Sequence, residues 1–186
     1  MKLETIMAGF GGQGIMLMGE ILAHSAMMEN KEVSWIPSYG PEMRGGTANC
    51  MVVISDRRIA SPIISHPDVL VAMNKPSMEK FSPLVKPGGL IILNISMIDD
   101  RPARGDVDIL EVDAGKIADA LGNSKVANMV VLGALVGKTG IVDKKTVLNS
   151  IDCFLPSHRK SMYEINEKAF IKGLELMAGV TLKGVG

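Results

Sequence analysis

Leu3-Glu4-Thr5-Ile6-Met7-Ala8-Gly9-Phe10-Gly11-Gly12-Gln13-Gly14-Ile15 is the stretch on which the fold turns. Leu3 to Gly9 reads as a short buried strand, and four glycines within six residues then break it. From Ile15 to Glu29 the apolar residues Ile15, Met18, Leu22 and Ala26 recur at helical spacing, which predicts a helix. Strand, glycine loop and helix in that order open an α/β domain. Gly9, Gly11 and Gly14 match the G-x-G-x-x-G fingerprint of dinucleotide-binding proteins, in which glycines allow a tight turn and a close approach to phosphate at the helix N-terminus. That fingerprint also needs a carboxylate at the end of the second strand, about 20 residues on. Here the second strand, Val33 to Ile36, runs into Pro37 and Ser38, with Glu32 before it and Glu42 beyond a proline. Arg44 is the nearby residue that could meet a phosphate instead. A stand-alone NAD(P)-binding α/β protein is therefore the alternative reading; a phosphate-bearing ligand of another kind and, ahead of both, close packing of the loop also account for the glycines.

Outward from there, Ser38-Tyr39-Gly40-Pro41-Glu42-Met43-Arg44-Gly45-Gly46 holds one Pro and three Gly in nine residues and continues neither element. It carries a phenol, a carboxylate and a guanidinium on a stiff loop. If the strands before the two loops run parallel and side by side, the loops share one edge of the sheet, where α/β proteins bind ligands. The candidate ligand or partner contacts are therefore Gly11, Gly12, Gln13, Gly14, Ser38, Tyr39, Glu42, Arg44, Gly45 and Gly46. Asn74 and Lys75, which follow a later strand, are weaker candidates, since a helix start explains them as well.

Further on, strands are expected at Thr47–Ser55, Val69–Met73, Leu90–Ile95 and Asp108–Val112, with a short edge strand at Ile63-Ile64. Helices are expected at Ser77–Leu84, Ala114–Leu121, Val126–Val136, Lys144–Ser150 and Pro156–Ala178. Asp99 to Asp106 is a polar surface loop. Such alternation predicts a sheet with helices on both faces. Without repeats or a linker, residues 1–186 read as a single three-layer α/β/α domain with a mostly parallel or mixed sheet, and residues 181–186 as a frayed tail.

Twenty basic residues balance twenty acidic ones in 186. The balance argues against a nucleic-acid partner held by bulk positive charge. Two cysteines, Cys50 and Cys153, are too few for a four-iron cluster, which needs about four thiolates. No clustered His/Cys spacing suggests a metal. The start lacks the regions of a signal peptide, and Val126–Gly137 is too short for a spanning helix of about 20 residues, so a cytoplasmic protein without a membrane span is expected. Fourteen methionines against 4% aromatics suit a core with a surface that repacks on partners.

Three segments together resemble one family. They are Gly9-Phe-Gly-Gly-Gln-Gly14 opening a helix, Pro37-Ser-Tyr-Gly-Pro-Glu-Met-Arg-Gly-Gly-Thr-Ala-Asn-Cys50, and Pro67-Asp68 before the strand that ends Ala72-Met-Asn-Lys-Pro-Ser77. The family is that of the gamma subunits of 2-oxoacid:ferredoxin oxidoreductases, most like the 2-oxoglutarate type. The resemblance is dense from Leu3 to about Ile98 and looser beyond. It implies an enzyme that decarboxylates a 2-oxoacid, joins the acyl group to coenzyme A and passes two electrons to ferredoxin or a similar acceptor. Thiamine diphosphate with Mg²⁺ and the iron–sulfur clusters would lie on other subunits. This chain would carry no catalytic residue and no cofactor of its own. Its partners would be the alpha and beta subunits and a ferredoxin-like delta subunit where one exists. Packed on the alpha subunit, it would help close the coenzyme A side of the site.

Overall fold

The computed structural model describes residues 1–39, 46–154 and 160–178. Six strands form one mixed sheet: β1 (Lys2–Phe10), β2 (Glu32–Tyr39), β3 (Thr47–Ser55), β4 (Val69–Ala72), β5 (Leu90–Asn94) and β6 (Asp108–Val112), in the order β2-β3-β1-β4-β5-β6. β1, β4, β5 and β6 are parallel, while β3 is antiparallel to both β1 and β2. The helices are α1 (Ile15–Met28), α2 (Lys75–Phe81), α3 (Ala114–Ala120), α4 (Ala127–Thr139), α5 (Lys144–Phe154) and α6 (Lys160–Ala178).

β4 (VLVA) and β5 (LIILN) are buried at every position, as parallel strands covered on both faces must be. Alternation then divides the core. Met7, Cys50, Val52, Val71 and Ile92 face α1 and α4, and α3, α5 and α6 complete that layer. Ile6, Val53, Leu70, Ile91 and Leu93 face the other way, onto Met78 and Phe81 of α2, with Ile64 and Ile98 filling from loops. The layers are thus unequal: five helices on one face and α2 on the other, among the described residues. α4 is buried from Asn128 to Val136, and α6 packs along it.

Three expectations change. β2 passes through Pro37 to Tyr39, because it is an edge strand and its outer row of N–H groups has no partner to lose. Ser38 and Tyr39 are therefore strand residues. Ile63-Ile64 forms no strand, since no sheet edge lies beside it; Ile64 is a buried plug and Ile63 is exposed. α5 continues to Phe154, past the expected Ser150. The helix start at Pro156 and the tail at 181–186 lie outside the described residues.

One ion cluster ties the amino end of β1 to its neighbours. Lys86 Nζ lies 2.6 Å from Glu4 Oε2 and 2.7 Å from Asp68 Oδ1, and the Glu4 amide donates to Asp68 Oδ2 at 2.8 Å. Burial raises the Glu4 carboxyl, but bonds from Lys2 and Lys86 outweigh it and hold the group below 4.5. Burial lowers Lys86, yet Asp68 and Glu4 hold it above 10.5. The Glu4 contribution is present above pH 4.5 and is lost as pH falls through the depressed folded value. The Lys86 contribution is full below pH 10.5 and is lost as pH rises through the elevated folded value. Lys86→Met should therefore cost about 0.5–1 kcal/mol at pH 7, the head group being 40% exposed. It should also flatten the acid limb of stability against pH. Urea midpoints between pH 3 and 7 check this, and an unchanged acid limb would refute it.

Candidate functional site

Because β1, β4, β5 and β6 are parallel, the loops leaving their carboxyl ends open on one side of the sheet. The glycine loop leaves β1 there. β2 runs in the same direction as β1 but stands one strand away, beyond β3, so the two loop-bearing strands are parallel without being side by side. The loops still meet: the Gly11 amide donates to the Gly46 carbonyl at 2.9 Å.

Gln13 is the centre of the glycine loop. Its Oε1 accepts from the Phe10 amide at 2.6 Å and from Asn74 Nδ2 at 3.2 Å, and its Nε2 donates to the Met73 carbonyl at 3.2 Å. The side chain thus laces the loop after β1 to the loop after β4, across the crevice where a dinucleotide fold seats a pyrophosphate. β2, the strand on which such folds carry the ribose-binding acid, is not a neighbour of β1; beside β1 stand antiparallel β3 and parallel β4.

Gly14 caps α1 in the left-handed conformation, φ 72°, where a side chain would be strained. A Cβ there would also run into the Asn128 amide. This glycine is therefore required by packing against α4. The cap has no side-chain bond, so among the described residues the first amides of α1 keep the unpaired donors of a helix start.

Two depressions flank the loop. The smaller, of about 300 Å³, is bordered by Gly11, Gly12, the first turn of α1, Tyr39 and Ala48. Tyr39 is 61% exposed and Ser38 is exposed beside it. The larger, of about 680 Å³, lies over the carboxyl ends of β1, β4, β5 and β6. Gly12, Gln13, Met73, Asn94, Ser96, Met97, Asp113 and Asn128 are among its lining residues. Ser96 Oγ donates to Asp113 at 2.5 Å and accepts from the Gly115 amide at 2.7 Å, which fixes that wall.

The structure therefore gathers Gly11, Gly12, Gln13, Gly14, Tyr39 and Gly46 at one end of the sheet, with Ser38 on the adjoining edge strand. Glu42, Arg44 and Gly45 lie outside the described residues. Asn74 caps α2, accepting from the Ser77 amide at 2.9 Å. Lys75 pairs with Asp100, and that bond holds its pKa above the usual lysine value. Asn94 and Asn128 were not among the residues singled out from sequence. An asparagine closing the apolar run Leu90–Asn94, and another inside the apolar helix of α4, were the available signals. Cys50 is fully buried, and burial pushes its thiol up to about 12, so it is no nucleophile.

The sequence model of the pyruvate ferredoxin/flavodoxin oxidoreductase family matches residues 4–176. The ketoisovalerate oxidoreductase subunit VorA of Methanothermobacter thermautotrophicus is 39% identical over 176 residues, covering 94% of this chain and 36% of VorA. The chain thus spans about a third of that relative. The 2-oxoglutarate synthase subunit KorC of Methanocaldococcus jannaschii is 38% identical over 179 residues, covering 95% of this chain and 94% of KorC. Among solved structures, the keto/oxoacid ferredoxin oxidoreductase gamma subunit of Geobacter sulfurreducens superimposes with a TM-score of 0.82 at 30% identity, covering 96% of this chain and 99% of that one.

Proposed function

Since the chain belongs to the pyruvate ferredoxin/flavodoxin oxidoreductase family, we propose that it is the gamma subunit of a 2-oxoacid:ferredoxin oxidoreductase of the 2-oxoglutarate type. The observation that carries this reading is the end-to-end match to KorC, 94% of whose length the chain covers. The complex would convert a 2-oxoacid and coenzyme A to acyl-coenzyme A and CO₂, and pass two electrons to ferredoxin. With 2-oxoglutarate the product is succinyl-coenzyme A. Alpha and beta subunits would be its partners.

The cysteines of this chain do not fit an iron–sulfur cluster. An iron–sulfur cluster needs about four thiolates, and the chain has two cysteines, one of them buried and held protonated. Among the described residues no three His, Cys, Asp or Glu side chains gather as metal ligands. No step of the chemistry is therefore assigned to this chain. Its role is to assemble with the other subunits and to close the coenzyme A side. The unpaired amides of α1, the open surface at Gly12 and the exposed Tyr39 support a contact with phosphate or with a partner's backbone. Glu42 and Arg44 would supply the charged contacts, Arg44 in a bidentate way that lysine cannot reproduce.

The test is an anaerobic affinity purification of the tagged chain from its own cell, with viologen reduction assayed in the eluate. Co-eluting larger subunits and coenzyme A-dependent reduction with 2-oxoglutarate are expected. Arg44→Lys should lower that turnover while the purified chain keeps its thermal midpoint. A chain that elutes alone, beside a control complex that survives the procedure, would overturn the assignment.

A further inference from the structure

The two faces of the sheet are covered unevenly. On one side α1 lies across β2 and β3, and Ala48, Cys50, Val52 and Ile54 of β3 are all buried there. On the other side α2 lies over β1 and β4, short of β2. Residues 56–68 shield part of the gap. Ile59 and Ile64 join the cluster of Ile6 and Val53, and the Ile64 amide reaches Met51 Sδ at 3.4 Å. The shielding stops at that point. Ile36 stands opposite Met51 in the ladder, so the two share a face. Met51 is only partly buried, and Ile36 packs into neither half of the core. Ile63, at the border of this strip, is 58% exposed.

The strip has a charged foot. The turn Asp56-Arg57-Arg58 follows β3, and all three residues are exposed. Asp56 is committed, its Oδ2 lying 2.6 Å from the amino terminus. Glu4 and Asp68 are committed to Lys86. Among the described residues the guanidinium groups of Arg57 and Arg58 make no hydrogen bond or ion pair. Glu32, exposed opposite Ser55, balances one of the two and leaves one cation over. Two strands span about 10 Å, and a helix with its side chains is about 10–12 Å across. One helix is also what a sheet of this kind needs to bury the bare part of its second face.

We propose that β2 and β3 seat one amphipathic helix of another subunit, its apolar stripe on Ile36, Met51 and Ile63 and a carboxylate against Arg57 and Arg58. The helix takes the place beside α2 that this chain leaves open. A second copy of the chain is the poorer occupant, since it would bring the same cationic surplus to the contact. The inference rests on the subunit reading above and gives that assembly a contact surface.

The anaerobic purification, run on the parent and on three variants, tests it. Ile63→Glu, and Arg57→Glu with Arg58→Glu, should each lower the recovery of partner subunits at least tenfold. The isolated variants should keep the parent's thermal midpoint to within about 2 °C, as surface changes do. Leu176→Glu, on α6 at 37% exposure, is the control and should recover the partners as the parent does. The arginine pair stands as the test if Ile63→Glu unfolds the chain. Ile63→p-benzoylphenylalanine, expressed with the other subunits and irradiated, should cross-link to a helical segment of a different chain that carries Asp or Glu within a turn of the apolar stripe. A cross-link to a second copy, to a segment without that carboxylate or to nothing overturns the inference. So does undiminished recovery of partners by both charge-reversing variants, in which case the subunit assignment stands without it. A parent chain that elutes alone overturns the assignment itself, and the inference with it.

Discussion

Gly173→Ala should destabilise the chain by about 3 kcal/mol, the upper end of what overpacking usually costs. For a chain of this size that is a fall of roughly 6–12 °C in thermal midpoint. Intrinsic helix propensity predicts the opposite sign, since alanine is better than glycine in a helix interior by about 1 kcal/mol. The sign is therefore diagnostic. A Cβ at residue 173 would collide with the Val130 carbonyl oxygen of α4 and lie 2.8 Å from the Ala134 nitrogen. Those are backbone atoms, so no side chain can turn away. Gly133 makes the reciprocal contact: its Cβ would collide with the Phe170 carbonyl oxygen and lie 3.0 Å from the Gly173 Cα. α4 cannot retreat, because its opposite side is buried against the sheet. α6 would have to lift, uncovering Ala169 and Phe170, both fully buried. Gly137→Ala is the control, because its Cβ would meet the flexible Met177 side chain at 2.9 Å, which can shift. Urea denaturation of the three proteins decides the matter. A Gly173→Ala midpoint at or above that of the parent would show that the helices are not in backbone contact.

That helix pair marks where the sequence stops being legible. Local pattern was enough for β1, the glycine loop, α1 and the run Thr47–Ser55, because each buries its own apolar positions at a clear period. It brought the glycine loop and Tyr39 to one end of a sheet only on the condition that β1 and β2 lie side by side, whereas β3 stands between them and Tyr39 belongs to β2 itself. It failed at Pro37, where the outcome depends on whether a neighbouring strand needs that N–H, and edge position is a property of the whole sheet. It failed at Ile63-Ile64, whose strand-like composition has no edge to pair with. Gly133 and Gly173 are forty residues apart, and nothing local shows that each is glycine on account of the other. Asn94 and Asn128 became noticeable only when folding buried both on the floor of one cavity, since an asparagine in a loop and one in a buried cleft read alike.

Gln13 carries the other large effect. Gln13→Ala would strip the bonds to the Phe10 amide, the Met73 carbonyl and Asn74 Nδ2 at once. Leaving partly buried backbone groups without partners should cost about 2–3 kcal/mol. Gln13→Glu separates the two halves of that loss. A carboxylate still accepts from Phe10 and Asn74, but it sets its second oxygen against the Met73 carbonyl, where the amide had donated. The protonated acid can donate there again, so its pKa in the folded variant should rise above the ordinary glutamate value of about 4.3. Stability supplied by the protonated form is full below that ordinary value and is lost as pH rises through the elevated one. The glutamate variant should therefore approach the parent near pH 4 and fall toward the alanine variant by pH 7. Urea midpoints across that range measure it. This side chain laces the glycine loop to the segment after β4, so on the coenzyme A reading proposed above the alanine variant should also raise the KM of the assembled enzyme for coenzyme A more than it lowers kcat. A glutamate variant whose stability relative to the parent is the same at pH 4 and pH 7 would show that the bond to Met73 contributes nothing. The lacing of β1 to β4 would then rest on the Phe10 and Asn74 bonds alone.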